Sequence, residues 1–301
     1  MATKRRGGPS AIENRMGWLF AMPAVLGFLI FVFGPMVASL FYSFTDLGIS
    51  GKWSFVGFQN FKNMFSGEDV YFYKALGVTT QYVLLSVPMK IIYAFMLALL
   101  LNQPVRGKSI FRTIYYLPTI VPVVAISMIW LWLLNPDFGL VNEILRALDL
   151  PTSKWIFDKA TVIPSLALMS VWTTGTMMIV FLAGLQDIPR PLYEAMAMDG
   201  AGALSQFRHV TVPMMTPTIF FNLCMTLIES FQVFSEAYIM TDGGPDNGSL
   251  FYVFYLYREA FTYGRMGSAS AIAWVLFAII LVVTMLVFKS SDRWVFYEGR
   301  R

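Results

Sequence analysis

Charge is what this 301-residue chain has least of: Asp, Glu, Lys and Arg make up 13% of it, against 57% hydrophobic residues and a mean hydropathy of +0.61. That balance excludes an ordinary soluble domain. Cys224 is the single cysteine, so no intrachain disulfide and no cysteine metal cluster can form. Lying in an apolar stretch, it reads as a small core residue. His209 is the single histidine, which leaves no basis for a histidine metal site. No nucleophile stands at a readable spacing from a base, and this weighs against a membrane-embedded enzyme. No Gly-x4-Gly-Lys-Ser/Thr run occurs, so the chain lacks the loop that grips ATP phosphates. A net charge of +4, with its basic residues dispersed, gives no support to a nucleic-acid partner. There is no internal repeat, no low-complexity tract and no second domain.

Long apolar runs are abundant instead. The first, Trp18 to Tyr42, spans about 25 residues, more than the core of a signal peptide, and no small-residue cleavage site closes it. It is expected to be a retained transmembrane helix. Five further candidates follow at Leu76–Leu101, Ile114–Leu134, Val162–Leu185, Met214–Met240 and Ser270–Phe288. The expected fold is therefore an all-α membrane protein of six transmembrane helices. Residues 18–288 form the membrane domain between tails at 1–17 and 289–301. Pro88, Pro118, Pro122, Pro164 and Pro217 lie in or at the ends of these helices, where kinks are expected. Basic residues favour the side that carries the N-terminus (Lys4, Arg5, Arg6, Arg15), Arg106, Lys108, Arg112, Arg190, Arg208 and the C-terminal Lys289, Arg293, Arg300 and Arg301. By the positive-inside rule both termini are cytoplasmic, and so is residue range 189–213.

That range, between the fourth and fifth spans, is not loop-like. Pro189 and Pro191 suit a first helical turn, Glu194 to Met198 are compatible with helix, and Gly200 and Gly202 punctuate. A second short helix is expected from Ala203 to His209, with Pro213 starting the next span. Alanines at 195, 197, 201 and 203 keep the surface shallow enough for another protein's groove to close on it.

Glu194-Ala195-Met196, then Gly200, then Val210-x-Val212-Pro213 resembles the EAA motif of binding-protein-dependent ABC transporter permeases, with Met196 in place of the second alanine. Asp199-Gly200-Ala201 is similar to the carbohydrate-importing branch. Phe111-Arg112-Thr113-Ile114-Tyr115-Tyr116-Leu117-Pro118, Asn135-Pro136-Asp137-Phe138-Gly139-Leu140-Val141-Asn142 and Thr241-Asp242-Gly243-Gly244-Pro245 add to the resemblance, which covers most of residues 18–288. Alone, Gly-Gly-Pro is only a turn signal. The resemblance implies the type I importer permease fold, with a cytoplasmic coupling helix between spans 4 and 5. It implies a bacterial or archaeal cytoplasmic-membrane subunit moving a mono- or oligosaccharide. The implied partners are a second homologous permease, an ABC ATPase dimer that holds ATP and Mg²⁺, an extracytoplasmic solute-binding protein and membrane lipids. No cofactor is expected on this chain.

Coupling is expected from Glu194, Ala195, Asp199, Gly200, Ala201, Arg208 and Pro213. Glu194 also suits a helix N-terminal acid on dipole grounds. For the solute path, intramembrane polar residues are the candidates, because they are costly unless they face a cavity or another helix. Span 5 carries Thr226, Glu229, Ser230 and Val233 at helical spacing, and span 4 carries Met169, Trp172, Thr173 and Thr176. Glu229 with the Trp172 ring fits sugar recognition, and helix packing with Glu229 bonded to a neighbour fits as well. Asn222 and Gln232 are weaker candidates. Lys90 snorkels, pairs with an acid or lines the path, and Glu236 is expected to be interfacial. Gly267 to Ala271 suit close helix packing. An ion-coupled carrier remains the alternative, but an inverted repeat is missing and the EAA-like stretch would go unexplained.

Overall fold

The computed structural model describes residues 11–104 and 106–296; Lys4, Arg5, Arg6, Arg300, Arg301 and the side chain of Arg15 lie outside the described residues. Among those residues there is no strand, only two isolated bridge pairs. Besides a short helix at Gln59–Phe65, the α-helices, in order, are α1 (Met16–Tyr42), α2 (Val70–Asn102), α3 (Lys108–Ile120), α4 (Val123–Leu133), α5 (Leu140–Ala147), α6 (Val162–Val171), α7 (Gly175–Asp187), α8 (Arg190–Met198), α9 (Ala203–Phe231), α10 (Tyr252–Tyr257) and α11 (Met266–Trp294). Four of them, α1, α2, α9 and α11, are each long and apolar enough to span a bilayer. The pairs α3+α4 and α6+α7 pass the same test as spans bent by 99° and 50°. Six spans result.

Backbone contacts fall into two groups. The first holds residues 11–63 and Glu259–Trp274. Its organising piece is the turn after α1, where Ser43 and Thr45 are fully buried. The Asn60 amide donates to the carbonyls of Ser43 and Thr45, both at 2.8 Å, so the turn's freed acceptors are satisfied. Ser54 donates its backbone N–H and its hydroxyl to Asp46, which holds that carboxyl below its usual range. At the N-terminal end of α11, Gly267 lies against the Thr45 backbone where no side chain would fit.

The second group holds Met64–Arg258 and Val275 onward. Its core is built on α2, whose buried face runs from Phe72 to Leu101. The Asp69 carboxylate caps the helix by accepting from the N–H groups of Tyr71 (3.0 Å) and Phe72 (3.3 Å). Ala94 and Ala98 let α7 come close, and Met178, Phe181, Leu182 and Leu185 fill the contact. Pro88 does not end α2.

The two bends have different origins. Val121 precedes Pro122 and is pushed to an extended ψ of 132°, as a residue before proline must be, and the span breaks there. The break between α6 and α7 contains no proline. Hydroxyls take up its freed carbonyls instead: Thr173 Oγ1 donates to Ser170 O (3.1 Å), Thr174 Oγ1 to Val171 O (2.9 Å) and Thr119 Oγ1 to Thr173 O (3.4 Å). Two expected boundaries need correction. The fifth span ends at Phe231, not Met240, and it begins at Ala203 without a break before Pro213. A π turn over Phe207–Thr211 carries the chain into Pro213, with Val212 N–H reaching back to Phe207 O, so the proline's missing donor does not end the helix.

The stretch from Asn135 to Asn142 is a folded staple. Asn142 is 1% exposed. Its amide donates to Pro136 O (3.0 Å) and Ser153 O (2.9 Å), and its oxygen accepts from Ser153 N–H (3.3 Å) and Trp155 Nε1 (2.8 Å). Asn142→Ala strips four bonds at once and is expected to cost about 2–3 kcal/mol. Thermal unfolding of the detergent-solubilised protein measures this, and an unshifted midpoint contradicts it.

Candidate functional site

Two features stand out, both in the second contact group. The first is the surface from Pro189 to Thr211. Pro189 is extended (ψ 123°) and Pro191 sits in the first turn of α8, where a missing N–H costs nothing. The helix ends in a Schellman turn: Gly200 N–H donates to Ala197 O (3.0 Å) and Ala201 N–H to Met196 O (2.9 Å), with Gly200 at φ +78°. Glu194, Ala195, Asp199, Gly200 and Arg208 are exposed, while Ala201 and Pro213 are half-buried.

Anchoring comes from residues outside that set. The Tyr193 hydroxyl bonds to Thr211 Oγ1 at 2.9 Å, tying α8 to the foot of α9. Tyr193 and Met196 pack on the core cluster that contains Leu185, Ile188, Val210 and Met215. Met196, the departure from the motif's second alanine, therefore faces inward and fills space. Met198 and Leu204 flank the glycine turn at 83% and 80% exposure. Sequence reasoning passed over these two apolar side chains, whose signal was their position inside an otherwise polar stretch.

The second feature is a pair of adjoining cavities. The larger, about 390 Å³, is lined in part by Lys90, Thr173, Thr176, Phe221, Thr226 and Glu229. The smaller, about 280 Å³, includes Met169 and Glu236. Thr119, Ser170 and Thr173 belong to both, so these hydroxyls stand between them. Lys90 and Glu229 share one chamber. Asn222 is on the larger wall but spends its amide on Thr218 O at 3.0 Å.

Neither expected stripe survives as one face. The α6–α7 break turns Trp172 away from Thr173 and Thr176. Its ring packs edge-on to Trp130 at 5.9 Å and lines neither cavity, so the Glu229–Trp172 pairing does not form. Phe221, on the same helix as Glu229, is the ring that shares its chamber. Val233 lies beyond the end of α9 and lines neither cavity, because helical spacing stops with the helix at Phe231. Ser230 is fully buried with an unpartnered hydroxyl, and Gln232 is exposed past the helix end.

The profile of the family described as "Binding-protein-dependent transport system inner membrane component" matches residues 90–297. The chain is 41% identical over 294 residues to the "Probable ABC transporter permease protein YesP" of Bacillus subtilis (strain 168), covering 96% of this chain and 94% of that one. It is 32% identical over 278 residues to the "Arabinooligosaccharides transport system permease protein AraP" of the same organism, covering 91% and 88%. Among solved structures, a chain of a bacterial ABC transporter "involved in the import of the acidic polysaccharide alginate" superposes with a TM-score of 0.81 at 26% identity, covering 93% and 96%. With six apolar spans, the EAA-like turn between the fourth and fifth and these relatives, the chain belongs to the inner-membrane components of binding-protein-dependent transport systems: it is a multi-pass ABC transporter permease, a transport subunit and not an enzyme.

Proposed function

We propose that this permease imports a mono- or oligosaccharide delivered by an extracytoplasmic binding protein. It works beside a second, homologous permease, and an ABC ATPase dimer carrying ATP and Mg²⁺ drives the pair. The observation that carries the coupling reading is the surface turn Glu194–Ala201, exposed on one side and anchored on the other by Tyr193 and Met196. A helix held so rigidly to α9 and the α7 core transmits a push from a closing cleft as motion of whole spans. The basic-residue bias supports a cytoplasmic position for this surface and both termini. The relatives named for arabinooligosaccharides and alginate support a sugar as cargo.

Within the membrane the path runs through the two hydroxyl-lined cavities. Thr119, Thr173, Thr176 and Thr226 offer donors and acceptors that suit sugar hydroxyls, and Glu229 and Lys90 offer charge-assisted hydrogen bonds. Glu229→Ala is expected to lower uptake about tenfold to a hundredfold while the assembled complex is retained. Loss of assembly in that variant would make the residue structural instead.

The deciding experiment is a tagged pull-down from native membranes in mild detergent with partners identified by mass spectrometry. Recovery of a nucleotide-binding subunit and a second six-span permease is expected. A chain recovered alone that still transports on reconstitution would overturn the proposal.

A further inference from the structure

Just past the end of α9, the chain makes one π turn over Ala237–Thr241 and then the Thr241-Asp242-Gly243-Gly244-Pro245 turn. Phe234 and Tyr238 stack at 5.5 Å and 12°, and Phe254 and Tyr257 from α10 stack at 6.5 Å and 12°. The two stacks meet: Phe234 is 5.2 Å from Tyr257 and 6.2 Å from Phe254, and Tyr238 is 5.5 Å from Tyr257. Phe254 is 1% exposed and Tyr238 is 48% exposed, so the tetrad has a buried base and an open top.

The turn forms the polar edge of this surface. Arg258 lies 4.6 Å over the Phe254 ring and donates from Nη2 to Asp242 O (2.7 Å) and Asp242 Oδ1 (3.4 Å). Gly243, at φ +80°, is seated so closely on the tetrad that a Cβ would stand 3.0 Å from a Phe254 ring carbon. The Gly-Gly-Pro stretch, which as sequence reads only as a turn, thus packs on the aromatic cluster through Gly243, and Asp242 just before it holds the arginine. In the chain Glu236 sits between Phe234 and Tyr238, and Glu236 lines the smaller cavity.

We propose that the Phe234–Tyr238–Phe254–Tyr257 tetrad, edged by Arg258 and Asp242, is a saccharide-stacking platform at the outer mouth of the path. A sugar ring rests there before passing Glu236 into the cavities. A sugar presents a flat C–H face and a rim of hydroxyls. The C–H face suits the negative face of an aromatic ring, and the hydroxyls suit a guanidinium–carboxylate edge. Tyrosines at a span's end also anchor proteins in lipid interfaces. Here, however, Arg258 lies over the cluster's Phe254 ring and pairs with Asp242, whose side chain is 79% exposed, and Glu236, two residues before Tyr238, lines the smaller cavity. The platform rests on the proposal that the cargo is a sugar and that this end faces outward.

The test uses the complete importer with its binding protein in proteoliposomes and measures uptake of radiolabelled maltotriose, arabinotriose and trigalacturonate. Tyr238→Leu keeps an apolar side chain but removes the flat ring, whereas Tyr238→Trp keeps a ring. With whichever sugar the wild type carries, Tyr238→Leu is expected to lower uptake at sub-saturating sugar about tenfold, and Tyr238→Trp to stay within about twofold of wild type. Both variants are expected to pull down the partner subunits. Unchanged uptake in Tyr238→Leu overturns the platform, as does an equal loss in both variants. So does loss of partners from either, which would assign the tetrad to lipid anchoring or assembly. Failure of the wild type to carry any of the three removes the sugar reading itself, and the platform with it.

Discussion

Glu194→Lys is expected to abolish uptake, by about a hundredfold or more, while the protein still reaches the membrane at its normal level. Charge reversal in an interface commonly costs several kcal/mol of association. Glu194 is exposed and makes none of the contacts that hold α8 down; those belong to Tyr193 and Met196. Folding should therefore be spared and docking lost. Gly200→Val tests the same surface by another route. No atom lies within 4 Å of where a Cβ would sit, so steric clash inside the chain is absent, but the left-handed φ of +78° costs a branched residue about 1–2 kcal/mol and distorts the turn. Gly200→Asn, which tolerates that conformation, should retain more activity than Gly200→Val. Co-purification of the ATPase with each variant, beside uptake, separates docking from transport. Normal uptake in both Glu194→Lys and Gly200→Val would remove the coupling role from this turn.

The second large effect is expected inside the membrane. Gly175 opens α7 directly against α3: a Cβ there would lie 2.5 Å from Thr119 Oγ1, 2.7 Å from Tyr115 O and 2.8 Å from Tyr116 Cα. Two of those three atoms are backbone and cannot step aside as a side-chain tip would. Gly175→Ala is expected to wedge the two bent spans apart and to destabilise the protein by about 3 kcal/mol, the upper end for overpacking a core. It should also break the bond from Thr119 to the Thr173 carbonyl, which lies between the two cavities. Gly77→Ala in α2 is the control, since nothing stands within 4 Å of its Cβ position. It should be neutral or stabilising by about 0.5 kcal/mol. Thermal melts of the two variants in one detergent make the comparison, and equal midpoints would contradict the wedge.

Some features of this molecule were legible in residues alone because they depend on local chemistry. An apolar run long enough to cross a bilayer is a helix whatever its neighbours do, since no other structure satisfies the backbone of a single segment in lipid. All six runs appear as helix, four unbroken and two bent. The bend at Val121–Pro122 was readable from a steric rule about one residue pair. The Glu194–Gly200 turn was readable because only glycine fits a helix-ending left-handed position cheaply.

Other features were decided by what packs against what. The α6–α7 break carries no proline, and it exists because three threonines and a serine carbonyl network can absorb it where α3 presses on Gly175. That break sends Trp172 to Trp130 and leaves Phe221 in the chamber with Glu229, which helical spacing could not foresee. Met196 looked like a blemish in a motif until the core of α7 and α9 gave it a place to fill. Periodicity tells which residues avoid water or seek a partner. The neighbouring helix, through shape and the hydrogen bonds it can offer, chooses the partner.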